Sequence, residues 1–270
     1  MWGGNSYGQL PLPNSRVFVP TLCELPWSVR HLACYNATTA VITCDGRLFV
    51  WGRVLKNQRP DMSLYIPGTH LSFPEPIVSA VIGYLGMMIL TLSGQVYSLG
   101  RNFDGFLGIG DRDGVDVFTR VELPLPCFQL KVKDTSSCAI AIDGTLYTWG
   151  FGTSGKISIP EGKTIASVEI GSTHLATITT DGCVYSDNSR QLKAPAHCKL
   201  LTYTDDYYIA SSDKEVGAWM SLDGFKLDFK FKGAIQVASA VNKEEVWFLS
   251  EGKYYHQSMI ARYPLEVILS

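Results

Sequence analysis

Carboxylates stand immediately before glycine at Asp45, Asp143 and Asp181, and carboxylates are what general acid/base chemistry needs. Five histidines, His31, His70, His174, His197 and His256, could act as bases or metal ligands. Seven cysteines, Cys23, Cys34, Cys44, Cys127, Cys138, Cys183 and Cys198, could act as nucleophiles or soft ligands. The run Gly105-Phe106-Leu107-Gly108-Ile109-Gly110 has the glycine density of a phosphate cradle. None of these builds a reaction centre. No Lys-Ser/Thr pair follows the glycine run and no helix is signalled after it, so it does not read as a P-loop. No Cys-x-x-Cys pair occurs, which argues against zinc. The histidines are scattered and lack a partner motif. The Asp-Gly pairs recur at intervals, so turn geometry explains them better than catalysis. The expected catalytic, metal and cofactor complement is none.

The recurrence is the architecture. Asp45-Gly46-Arg47-Leu48-Phe49-Val50-Trp51-Gly52 is followed by Ser93-Gly94-Gln95-Val96-Tyr97-Ser98-Leu99-Gly100 and by Asp143-Gly144-Thr145-Leu146-Tyr147-Thr148-Trp149-Gly150. Weaker copies are Asp181-Gly182-Cys183-Val184-Tyr185 and Glu251-Gly252-Lys253-Tyr254-Tyr255. A sixth, Asp213-Lys214-Glu215-Val216-Gly217-Ala218-Trp219, has lost its first glycine. The turn positions lie 48, 50, 38, 32 and 38 residues apart. Such a period is the mark of a repeat fold. An apolar run precedes the strong copies, as in Thr39-Ala40-Val41-Ile42-Thr43 and Met87-Met88-Ile89-Leu90-Thr91-Leu92. Each unit therefore reads strand, two-residue turn, strand, with Asp-Gly predicting a type I′ hairpin. Val, Ile, Thr, Tyr and Phe in the flanks suit strands.

A glycine-rich corner follows some hairpins. Gly3 leads by five to Gly8-Gln9-Leu10, Gly100 to Gly105-Phe106-Leu107-Gly108, and Gly150 to Gly155-Lys156-Ile157. Pro-bearing segments come next, such as Val17-Phe18-Val19-Pro20 and Arg120-Val121-Glu122-Leu123-Pro124. Pro suits an outer edge strand, where its missing N–H costs no ladder bond.

This pattern resembles the regulator of chromosome condensation repeat family, through Asp143 to Gly155, the Asn5-Ser6-Tyr7-Gly8-Gln9-Leu10 corner, and Gly171-Ser172-Thr173-His174 ahead of Gly182. The resemblance implies an all-β fold, a β-propeller in which each repeat supplies one four-stranded blade. It also implies that His174 bonds backbone within its blade. The first unit lacks its hairpin and the last lacks its corner. Joining the halves predicts about six blades, with the ring closed by N- and C-terminal strands. Seven is the alternative, if Ser258 to Ser270 forms outer strands of its own. Closure removes an unpaired edge. The whole chain, residues 1–270, reads as a single propeller domain.

Composition agrees. Of 270 residues 46% are hydrophobic and 18% charged, enough to bury roughly three quarters of the unfolded surface. The net charge of −2 makes nucleic acid an unexpected partner through overall charge. Lys226-Leu227-Asp228-Phe229-Lys230-Phe231-Lys232 alternates as an edge strand does. The stretch from Ile77 to Leu92 is too short and interrupted to span a bilayer and reads as two strands, so no membrane is expected. An odd cysteine count and no signal peptide favour an intracellular setting, nuclear or cytoplasmic, with the thiols as small buried hydrophobes.

Function must then reside in surfaces. The expectation is a non-catalytic propeller that binds protein partners through its end loops, a larger complex or a small GTPase among them. The resemblance also implies the alternative of guanine-nucleotide exchange on a Ran-type GTPase. Shortened units in the second half and a start at Trp2-Gly3 without a basic tail depart from the family's exchange factors. Candidate partner-binding residues lie in two loops: Lys56, Arg59 and Asp61 in the insertion from Arg53 to Pro76, and Asp111, Arg112, Asp113 and Asp116 after the glycine run. Trp27, Tyr207 and Tyr208 read as inter-blade core or, if exposed, as anchors.

Overall fold

The computed structural model describes all residues except 2, 20, 55–63, 85, 111–112, 151–158, 160, 172–174, 187–190, 193–196, 204–206, 213–214, 221–225, 231–233, 240–244, 251–252, 259–264 and 268–270. Strands dominate. β1 (Gly3–Gly4) and β2 (Arg16–Val17) pair as a short ribbon. Then follow meanders in chain order: β3 (Val29–Tyr35), β4 (Thr38–Thr43), β5 (Leu48–Val54) and β6 (Leu64–Leu71); β7 (Ile77–Ile82), β8 (Gly86–Thr91), β9 (Val96–Gly100) and β10 (Val115–Val121); β11 (Cys127–Lys133), β12 (Ser136–Ala141) and β13 (Leu146–Gly150). The series continues with β14 (Ile165–Ile170), β15 (Leu175–Thr179) and β16 (Val184–Ser186); β17 (Leu200–Tyr203), β18 (Tyr207–Ser211), β19 (Glu215–Met220) and β20 (Lys226–Lys230); β21 (Ala234–Ser239), β22 (Glu245–Ser250), β23 (Lys253–Ser258) and β24 (Leu265–Val267). The apolar stretch from Ile77 is the pair β7 and β8, and β20 lies at the end of its sheet, both as expected.

Two compact units divide the chain: Met1–Ile142 with Tyr147–Gly155, and Asp143–Leu146 with Lys156–Ser270. In the first, β7 lies against both β3 and β11; in the second, β17 lies against β14 and β21. Within each unit the first strand of one sheet thus neighbours the first strand of the next, as successive propeller blades do. In five sheets the register of that strand slips by one residue near its start, as between Ile77 and Ser79 or Cys127 and Gln129. Such bulges add local twist.

The second strands β4, β8, β12 and β15 are buried on both faces, so they carry apolar residues and small buried hydroxyls in place of an alternating polar face. On β8, Met87 and Ile89 pack with Ile42, Leu48 and Val50 of the preceding sheet. Met88 and Leu90 pack with Leu130 and Ala139 of the following one. Ala176, Ile178 and Val184 meet Cys198, Leu201 and Ala210 in the second unit. Each such large side chain contributes roughly 1.5–3 kcal/mol by leaving water. Of the cysteines, all free thiols, Cys127, Cys138 and Cys198 are buried, whereas Cys34 and Cys44 are exposed.

The hairpin turn differs from the expected two-residue type I′. In the described copies only the glycine has positive φ, 84° at Gly46, 81° at Gly94, 84° at Gly144 and 80° at Gly182. The Gly46 N–H donates to Thr43 O at 2.9 Å and the Thr43 N–H to Arg47 O at 3.0 Å. The loop therefore has three residues and ends in a left-handed glycine, the G1-bulge form. A buried threonine explains the choice. The Thr43 hydroxyl donates to the Asp45 carboxylate and accepts from the Arg47 N–H at 3.0 Å. Thr91 repeats this with Ser93 and Gln95, and Thr179 donates to Asp181 at 2.5 Å. Ala141 replaces the threonine in the third copy, and there Asp143 accepts from the Thr145 N–H at 2.8 Å and its hydroxyl at 2.9 Å.

The turn glycine also receives the next sheet. Gly46 O accepts from the Ile77 N–H at 2.9 Å, Gly94 O from Cys127 at 2.8 Å, and Gly182 O from Cys198 at 3.1 Å. A β-carbon on Gly94 would stand 2.7 Å from Pro126 Cβ, and one on Gly144 2.4 Å from Thr164 Cγ2. Side chains add a second tie within some sheets: the Ser93 hydroxyl donates to Glu75 at 2.9 Å, and the Lys163 ammonium pairs with Asp181.

Two outcomes follow. Gly94→Ala combines left-handed strain with overpacking and should cost about 2–5 kcal/mol in urea unfolding. Gly110→Ala, also at positive φ (77°) but with open space around it, should cost only about 1–2 kcal/mol. Separately, the Lys163 ammonium and then the Thr179 hydroxyl hold the Asp181 carboxyl well below the usual carboxylate range. A depressed pKa contributes stability above the unfolded value, about 3.9, and loses it as pH falls further. Asp181→Asn should therefore lower Tm at pH 7, with a difference that shrinks on acidification below about pH 4.

Candidate functional site

Sheet register assigns the loops to ends. In the first unit β5 ends beside the start of β4, with Gly52 opposite Thr38, and β9 ends with Gly100 opposite Gly86. The connections from third to fourth strand therefore emerge at the same end as the turns from first to second strand. Lys56, Arg59 and Asp61 belong to the connection between β5 and β6 and lie outside the described residues, as do Asp111 and Arg112. Asp113 and Asp116 are described: both are exposed, two residues before and just inside the start of β10, and both have bonded or electrostatic partners. His174 and the Gly155-Lys156-Ile157 corner also lie outside the described residues.

Two buried asparagines shape the corners at this end. Asn102 is 1% exposed, and its Oδ1 accepts from the Leu107 N–H at 2.6 Å. Asn5 accepts from Leu10 at 2.7 Å and donates to the carbonyls of Leu12 and Asn14 at 2.8 and 2.9 Å. The corner after Asn102 presses Phe106 inward. Its carbonyl accepts from Trp149 Nε1 at 2.8 Å and from the Ser137 hydroxyl at 3.1 Å. One sheet's corner is thereby fastened to the next sheet.

Beside these corners three first-to-second-strand turns are tied together. Asn36 and Asp134 adopt positive φ, 51° and 52°. The Tyr84 N–H donates to Asp134 O at 3.2 Å, and the Tyr35 hydroxyl donates to Asp134 Oδ1 at 3.3 Å. Arg53 is held by its N–H to Ala37 O at 2.7 Å, and its carbonyl accepts from the Thr38 hydroxyl. Between the turns opens a cleft of about 140 Å³ lined by Tyr35, Thr38, Arg53, Gly83, Tyr84 and Arg101 among others. Tyr84 is 59% exposed. Burial, together with the neighbouring Asp134 carboxylate, pushes the Tyr35 phenol above its ordinary value of 10.0.

A second cleft, of about 250 Å³, lies at the hairpin end between Asp45, Arg47, His70, Phe73 and Glu75. Its charges are engaged: Asp45 with Arg47 at 2.8 Å, and Glu75 with Ser93. Trp27 is half-buried and stacks on Phe49 at 3.8 Å between ring centroids, so it packs as core. Tyr207 and Tyr208 lie on β18. Arg53 and Arg101 escaped the reading of single residues. Their shared offset, one residue after the repeat glycines Gly52 and Gly100, was the available sign.

No protein-family profile matches the chain. Individual proteins do. Human E3 ubiquitin-protein ligase HERC2 is 30% identical over 252 residues, 78% of this chain and 5% of that protein. Human regulator of chromosome condensation is 28% identical over 158 residues, 52% of this chain and 36% of that protein. Bovine secretion-regulating guanine nucleotide exchange factor is 27% identical over 260 residues, 81% of this chain and 54% of that protein. The chain thus spans about half or less of these relatives. Among solved structures, human WBSCR16 superposes with a TM-score of 0.72 at 17% identity, covering 88% of this chain and 77% of that one. Yeast RCC1 (Prp20), solved bound to Kap60, gives 0.61 at 16%, covering 90% and 67%. At such identities the structures support the fold alone.

The Tyr35–Asp134 bond has a pH signature. A raised phenol pKa contributes stability that is complete below the ordinary value and is lost as pH rises through the folded one. The Tm difference between wild type and Tyr35→Phe should be constant from pH 7 to 9 and shrink above about pH 10.

Proposed function

The chain belongs to the regulator of chromosome condensation repeat family of β-propellers, and from that premise we propose that it is a non-catalytic interaction module. It binds protein partners through the loops at the strand-turn end of its sheets. The observation that carries this reading is the junction of fixed and variable parts at that end. Buried asparagines and tied turns hold a rigid rim. The connections bearing Lys56, Arg59 and Asp61, and Asp111, Arg112, Asp113 and Asp116, leave the sheets there. Rigid scaffolds with projecting loops suit recognition.

The second reading is exchange on a Ran-type small GTPase, making the GTPase the partner. It is favoured by similarity over 81% of this chain to a protein named a guanine nucleotide exchange factor. Exchange would break no covalent bond; the propeller would bind empty GTPase more tightly than loaded and so speed release. The proposal also takes residues 1–270 as one domain whose ring closes where the terminal strands meet. Six sheets of three or four strands among the described residues support six blades, and β24 (Leu265–Val267), an outer strand drawn from the 258–270 tail while β1–β2 pair separately, supports the alternative of seven. An intracellular setting, nuclear or cytoplasmic, belongs to the same reading, since the exposed thiols of Cys34 and Cys44 suit a reducing compartment.

Cross-linking mass spectrometry on the full chain in native lysate tests the reading. Partner cross-links should cluster at 55–63, 83–85 and 101–116 and fall away when 111–116 is replaced by a Gly-Ser segment. Cross-links spread evenly, or confined to the hairpin end, would refute it. In parallel, labelled-GDP release from a Ran-type GTPase should stay within about twofold of the uncatalysed rate; acceleration by about 10³ or more would establish exchange instead.

A further inference from the structure

The cleft at the strand-turn end is built from two successive repeats at the same offset. Arg53 follows Gly52, Arg101 follows Gly100, and both line it together with Tyr35 and Tyr84. Among the described residues its lining carries two cations and no acid. Both arginines are half-buried. Arg53 lies with Cζ 5.8 Å from the centre of the Tyr7 ring. The Arg101 guanidinium makes no hydrogen bond, ion pair or ring contact among the described residues. A cation partly withdrawn from water with no counter-charge is a net cost until an anion arrives.

The surroundings select the anion. The nearby turn acid, Asp134, is engaged by the Tyr35 hydroxyl and does not neutralise Arg101. The walls are held by the Tyr84–Asp134 and Arg53–Ala37 backbone bonds, so little ordering is needed on binding. At about 140 Å³ the cleft is well below the roughly 300–1,000 Å³ of small-molecule sites, which suits one side chain and not a nucleotide. Guanidinium forks match a carboxylate in geometry, and half-exposed tyrosines flank it as contact area. With the whole chain at −2, attraction must be local.

We propose that this cleft is a carboxylate-binding site that takes a Glu or Asp side chain from an acidic segment of the protein partner, with Arg101 and Arg53 as its specificity-determining residues. This rests on the protein-binding reading above. The test is fluorescence anisotropy of a labelled Glu octapeptide on the full chain at about 0.05 and 0.15 M salt. A Gln octapeptide and a phosphoserine octapeptide serve as comparisons. Wild type should bind the Glu peptide and not the Gln peptide. Arg101→Glu should weaken binding at least about tenfold, with Arg101→Gln intermediate. Arg120→Glu makes the same change in net charge on exposed β10, beside Glu122, and should stay within about twofold. Should Arg101→Glu fail to fold, the neutral Arg101→Gln carries the comparison, with Arg120→Gln as its control. No binding by wild type, or equal losses for the variants at 101 and 120, would overturn the proposal, as would about tenfold preference for phosphoserine. If the Glu peptide fails while partner cross-links still cluster at the strand-turn end, only this site is lost; if both fail, the interaction reading falls with it.

Discussion

One backbone approach organises this molecule: the carbonyl of a hairpin glycine accepts a hydrogen bond from the chain at, or just before, the first strand of the following sheet. At Gly46, Gly94 and Gly182 this bond is 2.8–3.1 Å long. It requires the turn to lie so close to the next chain segment that a β-carbon would overlap Pro76, Pro126 or His197. Left-handed φ and absence of a side chain are needed at one atom for two separate reasons. The buried threonine two residues before the turn Asp or Ser fixes the loop shape that delivers the glycine there, as Thr43, Thr91 and Thr179 do.

Packing follows from that spacing. Sheets brought edge to turn in this way press their faces together, which is why β8 alternates its contacts between two neighbours and carries no polar face. The corners continue the same logic further out. Phe106 is fully buried, and its carbonyl gathers donors from Trp149 and Ser137 of the next sheet. At the strand-turn end the rim is tied by backbone bonds, and the third-to-fourth-strand connections leave the sheets there. The hairpin-end cleft differs in that Asp45, Arg47 and Glu75 already satisfy one another or a neighbouring hydroxyl.

Much of the fold was legible because repetition exposes it. Asp-Gly before an apolar-aromatic run, at intervals of tens of residues, identified hairpins and a repeat fold without reference to any single contact, and the family resemblance carried by those repeats implied the propeller. The turn type was misjudged. Asp-Gly is shared by type I′ and G1-bulge loops, and the deciding group was a threonine hydroxyl outside the dipeptide. The first-strand bulges were invisible because a one-residue register slip leaves no compositional trace. Asn5 and Asn102 lie in the glycine-rich corners, and their burial and their bonds to backbone groups across the corner depend on contacts that spacing alone does not show.

Sequence by itself determined the repeating strand–turn–strand plan, the all-β class and the two loops that interrupt the plan, since periodicity and turn chemistry are local properties of the chain. Tertiary structure alone decided that Arg53 and Arg101, 48 residues apart, line one cleft with Tyr35 and Tyr84. It also decided that Asp134 ties the turns of neighbouring sheets together. Such meetings depend on how adjacent sheets dock, and docking distance is set by backbone hydrogen bonds and side-chain volume summed over whole faces, quantities no short window of residues contains.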